Sequence, residues 1–219
     1  MKKVSIIITN FNRKEFLSRA IRSCLEQSLS RNINTEIIVV DDGSTDDSLK
    51  LLEMFKDSVK IIKLKKNKGV AYASNAGIKK SSGDFVLRLD ADDFLNKYAI
   101  QFLSEVLINN KNLDFVYCDH FRADEKGFKE ELIKLNNYEV LFEHGAGVMF
   151  KRRVFNKIGF YDESLKNCED YDFLIRVTKN FKGFYLPIPL YRYYIHGANI
   201  SLKKDREKIK KKVRKRHGI

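Results

Sequence analysis

Gly83-Asp84-Phe85-Val86-Leu87-Arg88-Leu89-Asp90-Ala91-Asp92-Asp93 decides how this chain is read. Phe85 to Leu89 reads as a buried strand, and it runs straight into three carboxylates, Asp90, Asp92 and Asp93. Carboxylates crowded at a strand mouth repel one another unless a cation sits among them. Hard oxygen donors favour Mg²⁺ or Mn²⁺, which take one or two carboxylates and complete their shell with substrate phosphates. A solvated turn with an aspartate capping the next helix uses the same residues. A calcium loop of the EF-hand type does not fit, because Leu95 stands where that loop needs Gly and Gln101 where it needs Glu.

Upstream, β-rich and helix-like runs alternate. Val4 to Thr9, Glu36 to Val40 and Val59 to Leu64 read as strands, rich in β-branched residues. Lys14 to Gln27 carries Phe16, Leu17, Ala20, Ile21, Cys24 and Leu25 at helical spacing. Asp46 to Phe55 and Gly69 to Lys80 also read as helices. This alternation predicts an α/β fold, a Rossmann-like and mostly parallel sheet flanked by helices with right-handed crossovers. Such sheets bind ligands at the carboxyl ends of their strands. Those ends are polar here: Thr9-Asn10-Phe11-Asn12 after the first, Asp41-Asp42-Gly43-Ser44 after the second, and the acidic run after the fourth.

Downstream the pattern is less regular, and a smaller mixed region is expected. Tyr98 to Ile108 and Asp170 to Thr178 suit helices, with a further helix near Arg153 to Ile158. Leu113 to Cys118, Val148 to Phe150 and Leu190 to Ile195 suit strands. Cys168-Glu169-Asp170-Tyr171-Asp172 places acids in a helical first turn, which the helix dipole favours by itself, yet a general base needs a carboxylate of this kind. His196 lies in an aromatic stretch and shares no zinc-like spacing with His120, His144 or His217.

Taken in order, these blocks resemble the family 2 glycosyltransferases of the GT-A fold. The resemblance runs from the first strand through Asp41-Asp42-Gly43-Ser44, Asn67-Lys68-Gly69 with Asn75, the acidic run, Gly159-Phe160-Tyr161-Asp162-Glu163, Glu169-Asp170 and His196, over residues 3 to 201. It implies metal-dependent, inverting transfer of a sugar from a nucleotide-diphosphate donor, a UDP-sugar favoured, to a saccharide or lipid-linked acceptor hydroxyl. The product class implied is surface polysaccharide or glycolipid. The family pattern carries Thr9, Phe11 and Asp42 to the nucleoside, with Asn67, Gly69, Asn75 and Asp90 completing the donor site. It carries Asp92, Asp93 and His196 to Mn²⁺ or Mg²⁺, and Asp170 to the catalytic base. Two departures stand out. Thr9-Asn10-Phe11 replaces the usual Pro-Thr or Pro-x-Tyr, and Ala73-Ser74-Asn75 lacks the Arg common before that Asn. Diphosphate neutralisation then leans on the metal and on Lys66 or Lys68.

The bulk numbers set the remaining bounds. A chain of 219 residues with 43% hydrophobic content supports one domain with a sizeable core. No apolar run approaches the roughly 18 residues of a spanning helix, and no signal peptide is expected from the opening residues. Three scattered cysteines fit a reduced, cytoplasmic compartment. The formal charge of +13 is concentrated at one end, where ten of the fifteen residues from Lys203 to His217 are Lys or Arg. The expected organisation is a domain over 1–201, split into a nucleotide-sugar half (1–93) and an acceptor half (94–201), followed by a basic tail (202–219). Through that tail an anionic membrane surface is an expected partner, with the protein peripheral on its inner face. Nucleic acid is not expected, because the charge is not interleaved with aromatics on the core. A sugar nucleotidyltransferase would need a glycine-rich loop where Asn10-Phe11-Asn12-Arg13 stands.

Overall fold

Ile6, Ile7 and Ile8 lie at the centre of the fold and are fully buried. They belong to β1 (Lys2–Asn10), which pairs in parallel with β2 (Ile33–Asp41) on one side and β4 (Phe85–Asp90) on the other. β3 (Lys60–Lys63) extends the sheet beyond β2, again in parallel. Side chains alternate between faces along a strand. Ile6 and Ile8 accordingly pack with Leu17 and Ile21 of α1 (Lys14–Leu25), while Ile7 packs with Ala71 and Ala73 of α3 (Val70–Lys80). Small residues on α3 let it approach closely: a Cβ at Gly77 would stand 2.4 Å from Ile7 Cγ2. A short α2 (Ser48–Glu53) links β2 to β3. The computed structural model describes residues 1–124, 126, 128–196, 199 and 205–219.

The second half mixes strand directions. After β5 (Phe94–Leu95) and α4 (Ala99–Asn109) come β6 (Phe115–Ala123), β7 (Lys129–Ile133), α5 (Tyr138–His144), β8 (Val148–Lys151), α6 (Arg153–Ile158), α7 (Glu169–Asn180), β9 (Gly183–Tyr194) and α8 (Arg206–His217). The sheet order is β3-β2-β1-β4-β8-β6-β9-β5, with β7 on β6. β8 runs antiparallel to both β4 and β6, whereas β6 and β9 are parallel. Only residues 91–93 separate β4 from β5 in sequence, yet three strands separate them in the sheet. The sheet therefore curls until β9 meets the segment that leaves β4. This curl places the end of β9 beside the acidic run.

The expected α/β architecture with a parallel first half is what forms, with boundaries within a few residues. β9 starts at Gly183, well before the expected Leu190. Pro187 and Pro189 hide it, since proline removes a ladder donor. They fall in a register break where Cys118 pairs with Leu186 but His120 with Tyr191. β5, β7, α5 and α8 carry no strong periodic signal and were not anticipated. The expected tail is in its described part a docked helix: on α8, Val213 is 1% and Lys210 2% exposed. No helix among the described residues is long and apolar enough to cross a membrane. The three cysteines are free and buried.

Candidate active site

Because β1, β2 and β4 are parallel and in register, their polar ends meet at one edge: Thr9 pairs with Asp90, and Asn10 with Asp41. Thr9 Oγ1 donates to Asp90 Oδ1 at 3.1 Å. Two acids end β2 for two different reasons. Asp41 is fully buried and accepts from Asn10 Nδ2 (2.8 Å) and Ser44 N (3.0 Å), which ties the turn. Asp42 reaches across to the loop before α3 and accepts from Lys68 N (2.8 Å) and Gly69 N (2.7 Å). Burial raises its pKa, and the two amides oppose that. Gly43 is required between them, with φ of +72° and a Cβ position 2.5 Å from the Lys66 carbonyl carbon. Asn67, on the same loop, is exposed, and Phe11 is 41% exposed just beyond β1.

The acidic run divides its work. Asp90 shows a side chain 37% exposed. Burial raises its pKa first, Arg88 opposes this, and Asp92 and Asp170 add to it. Asp92 Oδ2 lies 2.9 Å from His196 Nε2 and 3.1 Å from Arg13 Nε. The His196 ring packs against Phe16 and Tyr194, at centroid distances of 5.1 and 5.2 Å, and those two rings meet each other at 4.9 Å. Arg19 donates to the Asp92 carbonyl at 3.2 Å and stacks over Tyr194 at 5.0 Å.

Asp93, expected as a metal ligand, is buried against β9. It is 1% exposed; Oδ2 accepts from Tyr191 Oη at 2.6 Å and Oδ1 from Tyr194 N at 2.9 Å. Burial and the two neighbouring aspartates push its pKa well up, as for a group that joins β9 to the acidic run. Asn75, expected at the donor, is also buried and hydrogen-bonded within the fold. It is 2% exposed, donates to the Tyr161 carbonyl and Glu163 Oε1 (both 2.9 Å), and accepts from Tyr161 N (3.0 Å).

The first turn of α7 supplies the opposite wall. Arg88, in the middle of β4, sends Nη1 to Glu169 Oε1 at 2.7 Å and Nε to within 3.6 Å of Asp90 Oδ1. One buried guanidinium thus ties the strand end to the helix that carries Asp170. Glu169 is pushed up to about 7, by burial first and by Asp170 beside it, against the pull of Arg88. Asp170 sits at the positive end of the α7 dipole. Its carboxylate packs on Gly145, where φ is +62° and a Cβ would stand 2.4 Å from Asp170 Oδ2.

Asp92 and His196 offer carboxylate oxygen and imidazole nitrogen side by side, a donor pair that suits Mn²⁺ or Mg²⁺. Asp90 is open beside them. Among the described residues no three acidic, histidine or cysteine groups gather into a cage. Asp93, also expected at the metal, has each oxygen accepting one hydrogen bond from β9. Arg88, Arg13 and Gly145 were not anticipated, and Glu169 was expected only as an acid beside Asp170. Arg88 did carry a signal, since a cation within Val86-Leu87-Arg88-Leu89 must find a buried partner.

The family described as "Glycosyl transferase family 2" matches residues 5–159. A chondroitin synthase of Escherichia coli is 28% identical over 215 residues, covering 92% of this chain. The chain spans 30% of that synthase's length. Among solved structures, S. aureus TarS 1-349 in complex with UDP-GlcNAc superposes with a TM-score of 0.77 at 21% identity, over 91% of this chain and 60% of that one. The mannosyltransferase PcManGT from Pyrobaculum calidifontis, in complex with GDP-Man and Mn²⁺, gives a TM-score of 0.72 at 16% identity, over 90% and 58%. These likenesses establish the GT-A fold.

Proposed function

This chain belongs to glycosyl transferase family 2, and from that premise we propose that it moves a sugar from a nucleotide-diphosphate donor to an acceptor hydroxyl with inversion. The observation that carries this reading is the pairing of two acidic walls through Arg88. Asp90 and Asp92 line the donor wall at the parallel strand ends, and Asp170 opens the helix opposite. A UDP-sugar is the favoured donor, by analogy with the ligand of TarS; PcManGT binds GDP-Man. The acceptor class is a saccharide or lipid-linked hydroxyl of the kind a polysaccharide synthase elongates.

The residues take the following roles. Phe11 offers an exposed ring to the base. Asp42 holds the 68–69 loop, so Asn67 and Gly69 frame the nucleoside rather than Asp42 alone. Thr9 orients Asp90 toward the ribose. Asp92 and His196 would hold Mn²⁺ or Mg²⁺, which supplies Lewis-acid stabilisation to a diphosphate leaving group. Asp170 accepts the proton of the acceptor hydroxyl as that oxygen attacks the anomeric carbon from the face opposite the nucleotide. A single displacement needs no second carboxylate nucleophile.

Calorimetric titration with UDP, GDP and their sugars, in Mn²⁺, Mg²⁺ or chelator, tests this reading. One nucleotide is expected to bind in a metal-dependent way. Asp92→Ala should weaken that binding by at least about tenfold, the lower range for disturbing a metal site. Equal affinity of the variant and the parent would remove Asp92 from the metal.

A further inference from the structure

We propose that the outer face of α8 is a docking surface for an anionic lipid bilayer. The helix has two opposed faces. Ile209 and Val213 turn inward and pack with Cys168, Tyr171 and Ile175 of the α7 region. Lys210 turns the same way and pairs with Glu143 of α5. Arg214 donates to Tyr171 Oη at 2.7 Å, Arg216 pairs with Asp162 at 2.7 Å, and His217 Nε2 lies 2.8 Å from Asp172 Oδ1. The inward face is therefore both apolar and tied by charge.

Lys208, Lys211, Lys212 and Lys215 point the other way. Their spacing of three, four and seven residues puts them on one stripe about 10 Å long. All four are exposed, and their ammonium groups make no ion pair or hydrogen bond among the described residues. Like charges at this spacing repel and cost helix stability. The docked inner face holds the helix despite this cost, and an apposed sheet of negative charge would relieve it.

Three observations favour a lipid surface over other polyanions. The stripe carries no aromatic side chain on which a base would stack, as single-stranded nucleic acid sites do. Its cations are lysines, flexible point charges suited to a diffuse surface rather than to bidentate phosphate recognition. Its place on the fold also fits: Asn167 Nδ2 donates to Asp205 Oδ1 at 3.2 Å, so the start of α8 lies against the residues just before Glu169 and Asp170. A membrane held by α8 therefore lies near the helix that carries the proposed base. Because Ile209 and Val213 are already used inside the fold, attachment is electrostatic adsorption and not insertion.

Sedimentation with vesicles tests this, and needs no donor, metal or acceptor. The chain should bind vesicles of equimolar phosphatidylglycerol and phosphatidylcholine and leave pure phosphatidylcholine vesicles in the supernatant. Each near-surface lysine contributes about fivefold to the partition. Replacing Lys208, Lys211, Lys212 and Lys215 together by Gln should weaken binding on the order of a hundredfold or more. Nucleotide binding should be unchanged and the thermal midpoint should not fall, since these side chains make no hydrogen bond or ion pair among the described residues and their mutual repulsion is removed. Raising salt on the unaltered chain should release it, because the contact is screened over about a Debye length. Equal binding to both vesicle types, no binding at low salt, or undiminished binding by the folded quadruple variant would overturn the proposal. So would tighter binding to a single-stranded oligonucleotide than to the anionic vesicles at the same salt. Loss of nucleotide binding in the parent chain would instead strike the transferase reading and leave this one standing.

Discussion

The two halves of the sheet solve the same problem by different means. In β3-β2-β1-β4 the polar groups are placed by the backbone: parallel strands end together, so Thr9, Asp41 and Asp90 arrive at one edge through register alone. In β8-β6-β9-β5 parallel and antiparallel pairs are mixed, and position comes from side chains that reach across. Tyr191 and Tyr194 of β9 grip Asp93, Arg88 reaches from β4 to Glu169, and Gly145 makes room for Asp170. The first half is a scaffold that displays residues. The second is a set of clamps that fixes where the displayed residues face. Mutations in the second half should therefore show whether a residue does chemistry or only holds another.

The largest expected effect is at Asp170. If it takes the proton, Asp170→Asn should lower transfer by about 10²–10⁴, the span for a positioned general base. Donor affinity should hardly change, because the substitution keeps the side chain's shape beside Gly145. Steady-state kinetics with matched nucleotide titrations separates the two. A variant that loses donor affinity as much as turnover would make Asp170 one more clamp.

Next in size is Glu169, the partner that Arg88 holds. A carboxyl whose folded pKa is raised binds protons more tightly folded than unfolded. Its contribution to stability is complete below the unfolded value of about 4.5 and is lost as pH rises toward about 7. That is on the order of 3 kcal/mol across the window. Denaturant unfolding from acid to neutral pH should show the decline in the parent chain, and Glu169→Gln should flatten it. An unchanged slope in the variant would mean that Arg88 keeps Glu169 ionised throughout and that the strain lies elsewhere.

How much of this was legible in the sequence follows the same division. The parallel half was readable because buried strands of Ile and Val have a strong local signal, and the acids after them stood where such sheets bind ligands. Asp42, Asp90 and Asp92 were singled out that way. The roles that local signal could not give depend on the curl of the sheet. Nothing near Asp93 in sequence tells that Tyr191 and Tyr194, about a hundred positions on, take both its oxygens. Arg88 was visible as a charge in an apolar strand, but its partner came from a helix whose first turn looked ordinary for acids. The basic tail read as an appendage because its two inward aliphatic residues are few. Lys210, Arg214, Arg216 and His217, which tie it down, count as charge in any composition.

Asn75 gives the smallest effect and the sharpest test of what a clamp is. The family pattern puts it with the donor, whereas its amide here closes on the Tyr161 main chain from both sides. Asn75→Ala leaves a buried N–H and a buried carbonyl at residue 161 without partners, which costs about 2 kcal/mol. Tyr161 packs against Phe173 of α7 and its ring lies 5.3 Å from the Arg88 guanidinium. The loss should therefore appear as lower stability in chemical denaturation and a modest fall in turnover, with nucleotide affinity intact. If affinity falls while stability holds, Asn75 belongs to the donor site after all. The first half would then display one residue more than its resting hydrogen bonds reveal.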